Sequence, residues 1–370
     1  MKIKITHLTT VHYRYDTRIF LKECTSLAKQ PHYSVALVVA DNKADEIRNN
    51  VHIYSVGASL SRLNRIFKKT RHVLQKALSL NSDIYHIHDP ELLPAARKLK
   101  KTGKKVIFDA HEDLPQQIKS KPYLNFFAKK ILSCLTAQYE KHISRQLDLV
   151  VAATPFINNK FKKISNNSCN INNYPIIKEL SHKINWQQKK NEICYIGGIT
   201  AIRGIKEIIK ALDRVTDCSL NLAGNFGSSA LKKQVQSWPG WQKVNEIGFI
   251  NRNEVKKVLA RSQAGLVTFH PKANHINAQP NKMFEYMSSG VAVIASNFKK
   301  WREVVEKNSC GICVDPLRIQ DIADAINYIF SHPKEAEQMG KNGRRAVAEK
   351  YNWGEEEKKL LSLYENLSKK

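Results

Sequence analysis

Short β-branched runs alternate with longer amphipathic stretches along this chain, stop at one polar junction, and then begin the same alternation again. That rhythm constrains the fold most, because strands separated by helical spans pair in parallel and are covered by helices. The first half offers strands at 2–8, 34–40, 51–56, 83–87, 105–109 and 147–152. Residues 165–173, crowded with Asn and Ser and closed by Tyr174-Pro175, read as the junction. Strands resume at 192–196, 219–223, 244–247, 265–269, 292–295 and 311–314, and two last helical stretches, 333–350 and 353–368, feed no further strand. A chain of 370 residues fits two domains, 1–174 and 175–352. The expected class is α/β, two doubly wound domains facing across a cleft, since ligands of parallel sheets lie beyond the carboxyl ends of the strands.

With 42% hydrophobic residues, 13 Phe, 13 Tyr and 5 Trp, the chain can build both cores, which excludes a disordered protein. Its longest apolar run is 35–40, far short of the roughly 20 residues of a membrane-spanning helix. The start MKIKITHLTT lacks a signal peptide's apolar stretch and reads as a first strand, so a cytoplasmic location is expected. Seven scattered cysteines form no disulfide framework, and Cys310 and Cys313 are expected to be buried structural thiols. A net charge of +27, denser in the first half, calls for an anionic partner: nucleic acid, lipid headgroups or phosphorylated substrate.

The second half opens with Tyr195-Ile-Gly-Gly-Ile-Thr-Ala-Ile-Arg-Gly204, a strand, a glycine turn and a helix start. Gly197 and Gly198 let backbone approach a phosphate and Arg203 supplies a cation; the alternative use of such a turn is tight strand-to-helix packing. Further on, Gln279-Pro-Asn-Lys-Met-Phe-Glu-Tyr-Met-Ser-Ser-Gly290 begins a helix near Pro280 and ends it at Gly290. Asn281 and Glu285 share a face, Lys282 can neutralise diphosphate, and Glu285 can accept hydrogen bonds from ribose hydroxyls. The competing reading is a Lys–Glu surface pair, but the flanking Met283, Phe284, Tyr286 and Met287 would anchor the helix in a core and fix its polar groups.

The glycine turn, followed some 80 residues later by Pro280-Asn-Lys-Met-Phe-Glu-Tyr-Met-Ser-Ser-Gly-Val-Ala-Val-Ile-Ala-Ser296, resembles retaining glycosyltransferase family 4. The first half agrees: Asp16-Thr-Arg-Ile-Phe20, His86-Ile-His-Asp-Pro-Glu-Leu-Leu-Pro94 and Phe108-Asp-Ala-His-Glu-Asp113 are similar to segments of members that build capsules, O-antigens and exopolysaccharides. The resemblance implies a GT-B fold of two Rossmann-like domains, with the last helix crossing back onto the first. It implies a nucleotide diphosphate sugar as donor, a UDP-sugar favoured, held by Gly197, Gly198, Thr200, Arg203, Gly224, Asn277, Asn281, Lys282 and Glu285. It implies a lipid-linked or glycan acceptor served by Asp16, Arg18, Asp89 and Glu112 in the first domain, and no metal or other cofactor. His111 matches the family's active-site histidine and, with Arg203, Lys282 and Glu285, completes the catalytic set. Glu285 matches the second of the family's two glutamates. Asn277 stands where the first would be, and Gly198 replaces a common Arg, so diphosphate binding leans on Arg203, Lys282 and backbone N–H groups.

Past a strand end, His111 is placed for function, whereas Glu112 and Asp113 alternatively cap a turn. His86 and His88 alternate onto one strand face, where core packing with Asp89 as a loop carboxylate is the reading taken over a metal site. No zinc-finger spacing, aromatic RNA-binding motif or basic heptad supports nucleic acid as the partner; a nucleotide-sugar epimerase of the same shape is the other rival. Two basic amphipathic stretches instead point to an anionic membrane surface and a peripheral location at its inner face. In 60–80, Leu60, Leu63, Phe67, Leu74 and Leu78 fall at helical spacing among Arg62, Arg65, Lys68, Lys69, Arg71 and Lys76, with no acidic residue. In 119–145, Leu124, Phe127, Ile131, Leu135 and Tyr139 do the same beside Lys119, Lys121, Lys129 and Lys130. The alternative is that each apolar stripe packs on the sheet and its basic face is merely solvated.

Overall fold

The structure, a computed structural model, describes residues 2–59, 61–119, 124–165, 167–180, 186 and 189–369, with Arg62 described by its backbone alone. Leu60 and Lys121, named in the basic stretches, therefore lie outside the described residues. The chain divides into two compact units: Met1–Asn173 with Gly354–Lys370, and Tyr174–Trp353.

Unit 1 carries eight strands: β1 (Ile3–Leu8), β2 (Tyr33–Val39), β3 (Glu46–Arg48), β4 (Val51–Ser55), β5 (Ile84–Ile87), β6 (Lys105–Ala110), β7 (Leu149–Ala152) and β8 (Ser168–Asn170). They lie in the order β3-β4-β2-β1-β5-β6-β7-β8, parallel except for β3 against β4. The central strands are buried on both faces, which is why they read as near-continuous runs of Ile, Val and Phe. Two short strands escape the sequence reading. β3 pairs with β4 through a two-residue turn, Asn49-Asn50, both with positive φ, a geometry that Asn tolerates. β8 lies inside 165–173, so that stretch is partly sheet, and the passage between units falls after Asn173.

Unit 2 has six parallel strands, β9 (Glu192–Ile196), β10 (Ser219–Ala223), β11 (Val244–Gly248), β12 (Ala264–Val267), β13 (Ala292–Ser296) and β14 (Gly311–Val314), ordered β11-β10-β9-β12-β13-β14. The strand order reverses between β1 and β5 in unit 1 and between β9 and β12 in unit 2. Ligands of open parallel sheets bind at such points, so the loops after these four strands are where chemistry belongs.

The helices that matter below are α1 (Thr17–Cys24), α2 (Thr70–Leu80), α3 (Phe126–Ser144), α4 (Arg252–Arg261), α5 (Asn281–Ser288), α6 (Pro333–Glu349) and α7 (Trp353–Ser368). α1 is wound with the wider π repeat, Leu21 N–H reaching Asp16 O at 3.1 Å. Arg18 and Glu23, five residues apart, consequently face the sheet together, Arg18 Nε lying 3.2 Å from Glu23 Oε1. α5 buries Met283, Phe284, Tyr286 and Met287. α6 crosses α5 closely because Gly340 and Gly343 carry no Cβ: one on Gly340 would come within 2.3 Å of Gly290 O. α7 returns to unit 1, where Glu356 accepts hydrogen bonds from the Asn172 amide and side chain at 2.9 and 3.0 Å.

All seven cysteines are free, and burial pushes the Cys310 and Cys313 thiols up to about 12, so they are inert core groups. Among the described residues no helix is long and apolar enough to cross a membrane.

Candidate active site

In unit 2 the turn after β9 is held from both sides. Gly197 N–H donates to Ala223 O at 2.9 Å, and Gly224 approaches so near that a Cβ there would sit 2.1 Å from Gly197 O. Gly224 therefore lets two strand-end loops touch, which a side chain there would prevent. Gly197 has φ +118°, a left-handed value that favours glycine. The Gly198 carbonyl accepts from the Tyr195 hydroxyl at 2.8 Å and from the Arg203 guanidinium at 3.2 Å.

Lys282, from the first turn of α5, lies over this turn, a Cβ on Gly197 being 3.6 Å from its Nζ. Its ammonium sits 3.5 Å above the Tyr195 ring centre, is buried, and has no hydrogen-bond partner among the described residues. Burial, with Arg203 nearby, pushes it well below the usual lysine range. Phe269 packs under both cations, at 5.4 Å from the Arg203 guanidinium and 5.3 Å from Lys282 Nζ. Two basic side chains and a glycine turn thus converge where the strand order reverses, with Glu285 the nearby carboxylate that acts on Lys282. Thr200 Oγ1 is also buried without a hydrogen-bond partner; Asn281 is exposed and Asn277 half-buried.

Glu285 is not the free acceptor that its sequence position implies. Arg252 of α4 donates to Glu285 Oε1 at 2.8 Å and holds both Glu179 oxygens at 2.7 and 3.0 Å. Arg252 and Glu179 were invisible in the sequence because the three residues lie far apart along the chain. They fix Glu285's orientation and leave Oε2 to accept a further hydrogen bond.

In unit 1, His111 Nε2 lies 2.8 Å from Asp109 Oδ2, and Arg18 grips the same carboxylate through Nε at 2.8 Å and a terminal nitrogen at 2.7 Å. Although burial opposes it, Arg18 and His111 hold the Asp109 carboxyl well below its usual range. An ionised Asp109 accepts the Nε2 proton, so His111 turns its Nδ1 lone pair away from the pair. Arg18 is buried, with a third bond to Ile171 O at 2.8 Å, and through Asp109 it supports His111. Asp89 is likewise turned inward. It accepts from Thr9 Oγ1 at 2.9 Å and from the Thr10 and Val11 amides at 2.6 and 3.2 Å, pinning the loop after β1. Glu112 alone of the acceptor set is exposed, while Asp113 takes Lys160 at 3.0 Å.

That loop brings in His12, which the sequence reading missed. Its ring centre is 4.9 Å from that of His111, and its Nδ1 is 3.3 Å from Asp16 Oδ2. The signal was its place just beyond β1 at a strand-order reversal. Asp16 also accepts from the Arg18 and Ile19 amides at 2.8 and 3.0 Å, capping α1. Burial pushes the Asp16 carboxyl up, but His12 and the Ile19 amide outweigh it and hold the group at about 2. A depressed carboxylate stabilises the fold above its unfolded value and loses that contribution as pH falls through the folded one. The unfolding free energy from urea titrations should therefore drop between about pH 4 and pH 2, by about 2 kcal/mol, and Asp16→Asn should flatten that limb. His12 has the opposite sign: burial lowers it, Asp16 and Asp89 raise it further, and its contribution fades as pH rises through the raised value.

β1 and β5 also bury a cluster under α1, outside the loops. His7, Glu23, His86 and His88 are each fully buried, with Tyr364 of α7 2.8 Å from His86 Nδ1. Burial and the Asp109 charge push the Glu23 carboxyl well above its usual range, and burial lowers His88 to about 4.

Comparison with known proteins places these sites in context. Residues 17–168 match the family model for Glycosyltransferase Family 4, and residues 176–346 that for Glycosyl transferases group 1. The chain is 24% identical over 306 residues to the alpha-1,3/1,6-mannosyltransferase ALG2 of Dictyostelium discoideum, covering 76% of this chain and 69% of that protein. It is 22% identical over 180 residues to alpha-D-kanosaminyltransferase of Streptomyces kanamyceticus, covering 47% of this chain and 45% of that one, under half its length. The fold matches sucrose-phosphate synthase of Thermosynechococcus elongatus with a TM-score of 0.81 at 16% identity, over 99% of each chain. It matches Anabaena HepE in complex with UDP-glucose with a TM-score of 0.75 at 14% identity, over 98% of this chain and 100% of that one. With a glycosyltransferase model on each unit and two Rossmann-like parallel sheets, the chain belongs with the GT-B glycosyltransferases and is family 4-like.

Proposed function

We propose that the chain transfers a sugar from a nucleotide diphosphate sugar to a lipid-linked or membrane-associated glycan in surface polysaccharide synthesis, with retention at the anomeric carbon. The observation that carries this reading is the buried, unpartnered Lys282 ammonium beside Arg203 over the Gly197 turn. An ammonium held out of water without a partner is costly, and a diphosphate is the ligand that would remove the cost. A UDP-sugar is favoured, in keeping with the UDP-glucose bound in HepE. Glu285, braced by Arg252, offers its remaining oxygen to the ribose hydroxyls. His111, with its tautomer fixed by Asp109, serves the transferred sugar.

The bond from the anomeric carbon to the phosphate oxygen breaks, leaving positive character on the sugar and negative charge on the diphosphate. Arg203, Lys282 and the turn's amides stabilise that departing charge, which grows only in the transition state. The acceptor oxygen bonds the anomeric carbon on the same face, and its proton passes to the departing phosphate oxygen. No divalent ion enters this route, so brief EDTA treatment should leave turnover intact; a strict metal requirement would contradict it.

The decisive assay incubates candidate nucleotide sugars with and without lipid-linked acceptor. Free nucleotide appearing only with acceptor supports transfer, whereas isomerised donor without acceptor identifies an epimerase. A thermal-shift panel of nucleotide sugars selects the donor, because a ligand of the folded state raises apparent stability. Arg203→Ala should lower kcat and kcat/KM together by roughly a hundredfold with unchanged melting temperature. Unaltered turnover would remove Arg203 from the site.

A further inference from the structure

We propose that unit 1 holds a structural divalent cation, zinc in the first place, between His7, Glu23, His86 and His88. This goes beyond the transfer reaction and does not depend on it. β1 and β5 are parallel neighbours in which His7 stands opposite His86, and His88 follows two positions on, on the same face. Glu23 descends from α1 onto these three rings. Its Oε2 is 4.0 Å from His7 Nδ1, 3.9 Å from His86 Nδ1 and 3.9 Å from His88 Nε2. Zinc bonds to imidazole nitrogen and carboxylate oxygen run to about 2.0–2.2 Å. An ion at the centre of such a set needs Glu23 to move in by about half an ångström and the His7 and His88 nitrogens, 2.8 Å apart, to part by about as much.

Core packing, the reading favoured by sequence, leaves polar atoms stranded. Both Glu23 oxygens are buried without a hydrogen-bond partner among the described residues, Arg18 reaching Oε1 only as an ion pair at 3.2 Å, while His86 Nδ1, the nitrogen facing Glu23, lies 2.8 Å from the Tyr364 hydroxyl that an ion would displace. Buried polar groups are rarely left so, and an ion is one of the standard reasons. The outer nitrogens of two rings are already engaged as metal-bound histidines require: His88 Nδ1 is 3.2 Å from Asp109 Oδ2, and His7 Nε2 is 3.4 Å from the Tyr364 hydroxyl. The inner nitrogens, His7 Nδ1 and His88 Nε2, share a hydrogen bond at 2.8 Å, and both offer lone pairs to an ion once it takes the place of the proton between them. Three imidazoles and a carboxylate suit zinc ahead of magnesium or calcium. Four protein ligands close the coordination sphere, so the ion is structural. It would tie β1, β5 and α1 together and, through Tyr364, α7.

The test uses the full chain expressed with zinc supplementation and passed through a chelating column. Mass spectrometry of metals should find about one zinc per chain. That zinc should resist EDTA in native buffer and reach a chromogenic chelator only when guanidinium unfolds the protein. X-ray absorption should show nitrogen and oxygen neighbours without sulfur. Glu23→Gln, which keeps volume and removes the anionic ligand, should lose the ion, while Cys310→Ser/Cys313→Ser should keep it. Less than roughly a tenth of an equivalent in the parent protein, sulfur in the first shell, or a stoichiometric ion retained by both Glu23→Gln and His86→Asn would each overturn the proposal. Should the ligand variants not fold, the metal content and absorption spectrum of the parent still decide.

Discussion

Lys282→Met should raise the melting temperature of the ligand-free protein while abolishing the stabilisation that a nucleotide diphosphate sugar confers. Lys282 is buried and nearly isosteric with Met, its Nζ has no hydrogen-bond partner among the described residues, and burial already depresses its basicity. Removing a buried polar group that lacks a partner recovers a desolvation penalty of about 1–3 kcal/mol, whereas surface substitutions stay within about 0.5 kcal/mol. The Tyr195 ring, 3.5 Å beneath the ammonium, offsets part of this, since a cation over an aromatic face contributes about 1–2 kcal/mol when desolvated. Met keeps favourable contact with that ring, so the net sign stays positive. Turnover should fall by a hundredfold to a thousandfold, as when one preorganised donor to a developing oxyanion is removed. Paired thermal melts and initial rates check both halves. A variant that is less stable and equally active would show Lys282 to be a core residue and move the phosphate site elsewhere.

The opposite movement of stability and activity separates a binding group from a packing group, and the same logic sorts the rest of the site. Arg18, Asp89 and Gly224 all have their interactions satisfied inside the fold, so their loss should be felt as stability. Breaking the Arg18–Asp109 pair from one side strands a buried charge, which costs about 3–5 kcal/mol. Lys282 Nζ and Thr200 Oγ1 have no hydrogen-bond partner among the described residues, and it is such atoms that a ligand would complete.

Most of this was legible in the sequence where the signal is local. Parallel strands buried on both faces announce themselves as β-branched runs, and the glycine turn and the α5 helix could be placed because each is a contiguous motif. Pairing across distance was not legible. Glu179, Arg252 and Glu285 meet only after folding, and neither sheet period nor helix period links them. His7, Glu23 and Tyr364 were missed because a buried charged cluster contradicts the rule that charged residues lie outside, and only the tertiary structure shows their mutual contact. The three residues of β3 and β8 are too few for alternation to register, and the Asn49-Asn50 turn that joins β3 to β4 was not read either.

The hardest pattern to read was amphipathicity, because a stripe that packs on a sheet and one that enters a lipid surface share the same spacing. The two basic stretches divide on this point. In the first stretch the stripe splits: Leu74 of α2 is buried with Val73 and Ala77, whereas Leu78 is exposed; Lys69 is buried and donates to Val56 O at 2.9 Å, and Arg65 holds Glu91 at 2.9 Å. α3 is inverted. Its buried residues are Ser133, Glu140, Ile143 and Ser144, with Glu140 paired to Lys160, while Phe126 and Phe127 are 73% and 75% exposed and Ile131 and Leu135 are 60% and 57% exposed. Leu63 and Phe67 are exposed as well, beside the exposed Lys68 and Arg71. Turning a polar face inward and an apolar face outward costs free energy that only a further apolar phase restores, and a patch of this kind marks a docking surface. If these faces dock on a membrane as proposed, the exposed Lys68, Arg71 and Lys130 favour an anionic lipid interface, each contributing about 1 kcal/mol near such a surface. The chain should sediment with vesicles of anionic lipid at low salt and less as salt screens the charges. Phe127→Ser/Ile131→Ser/Leu135→Ser should abolish sedimentation without lowering the melting temperature, because these side chains pack on nothing that unfolding exposes. Lys68→Gln/Arg71→Gln/Lys130→Gln should weaken binding and flatten its salt dependence. Equal binding to anionic and neutral vesicles, or binding undiminished in the serine variant, would sink the docking and leave α3 as a contact for another protein.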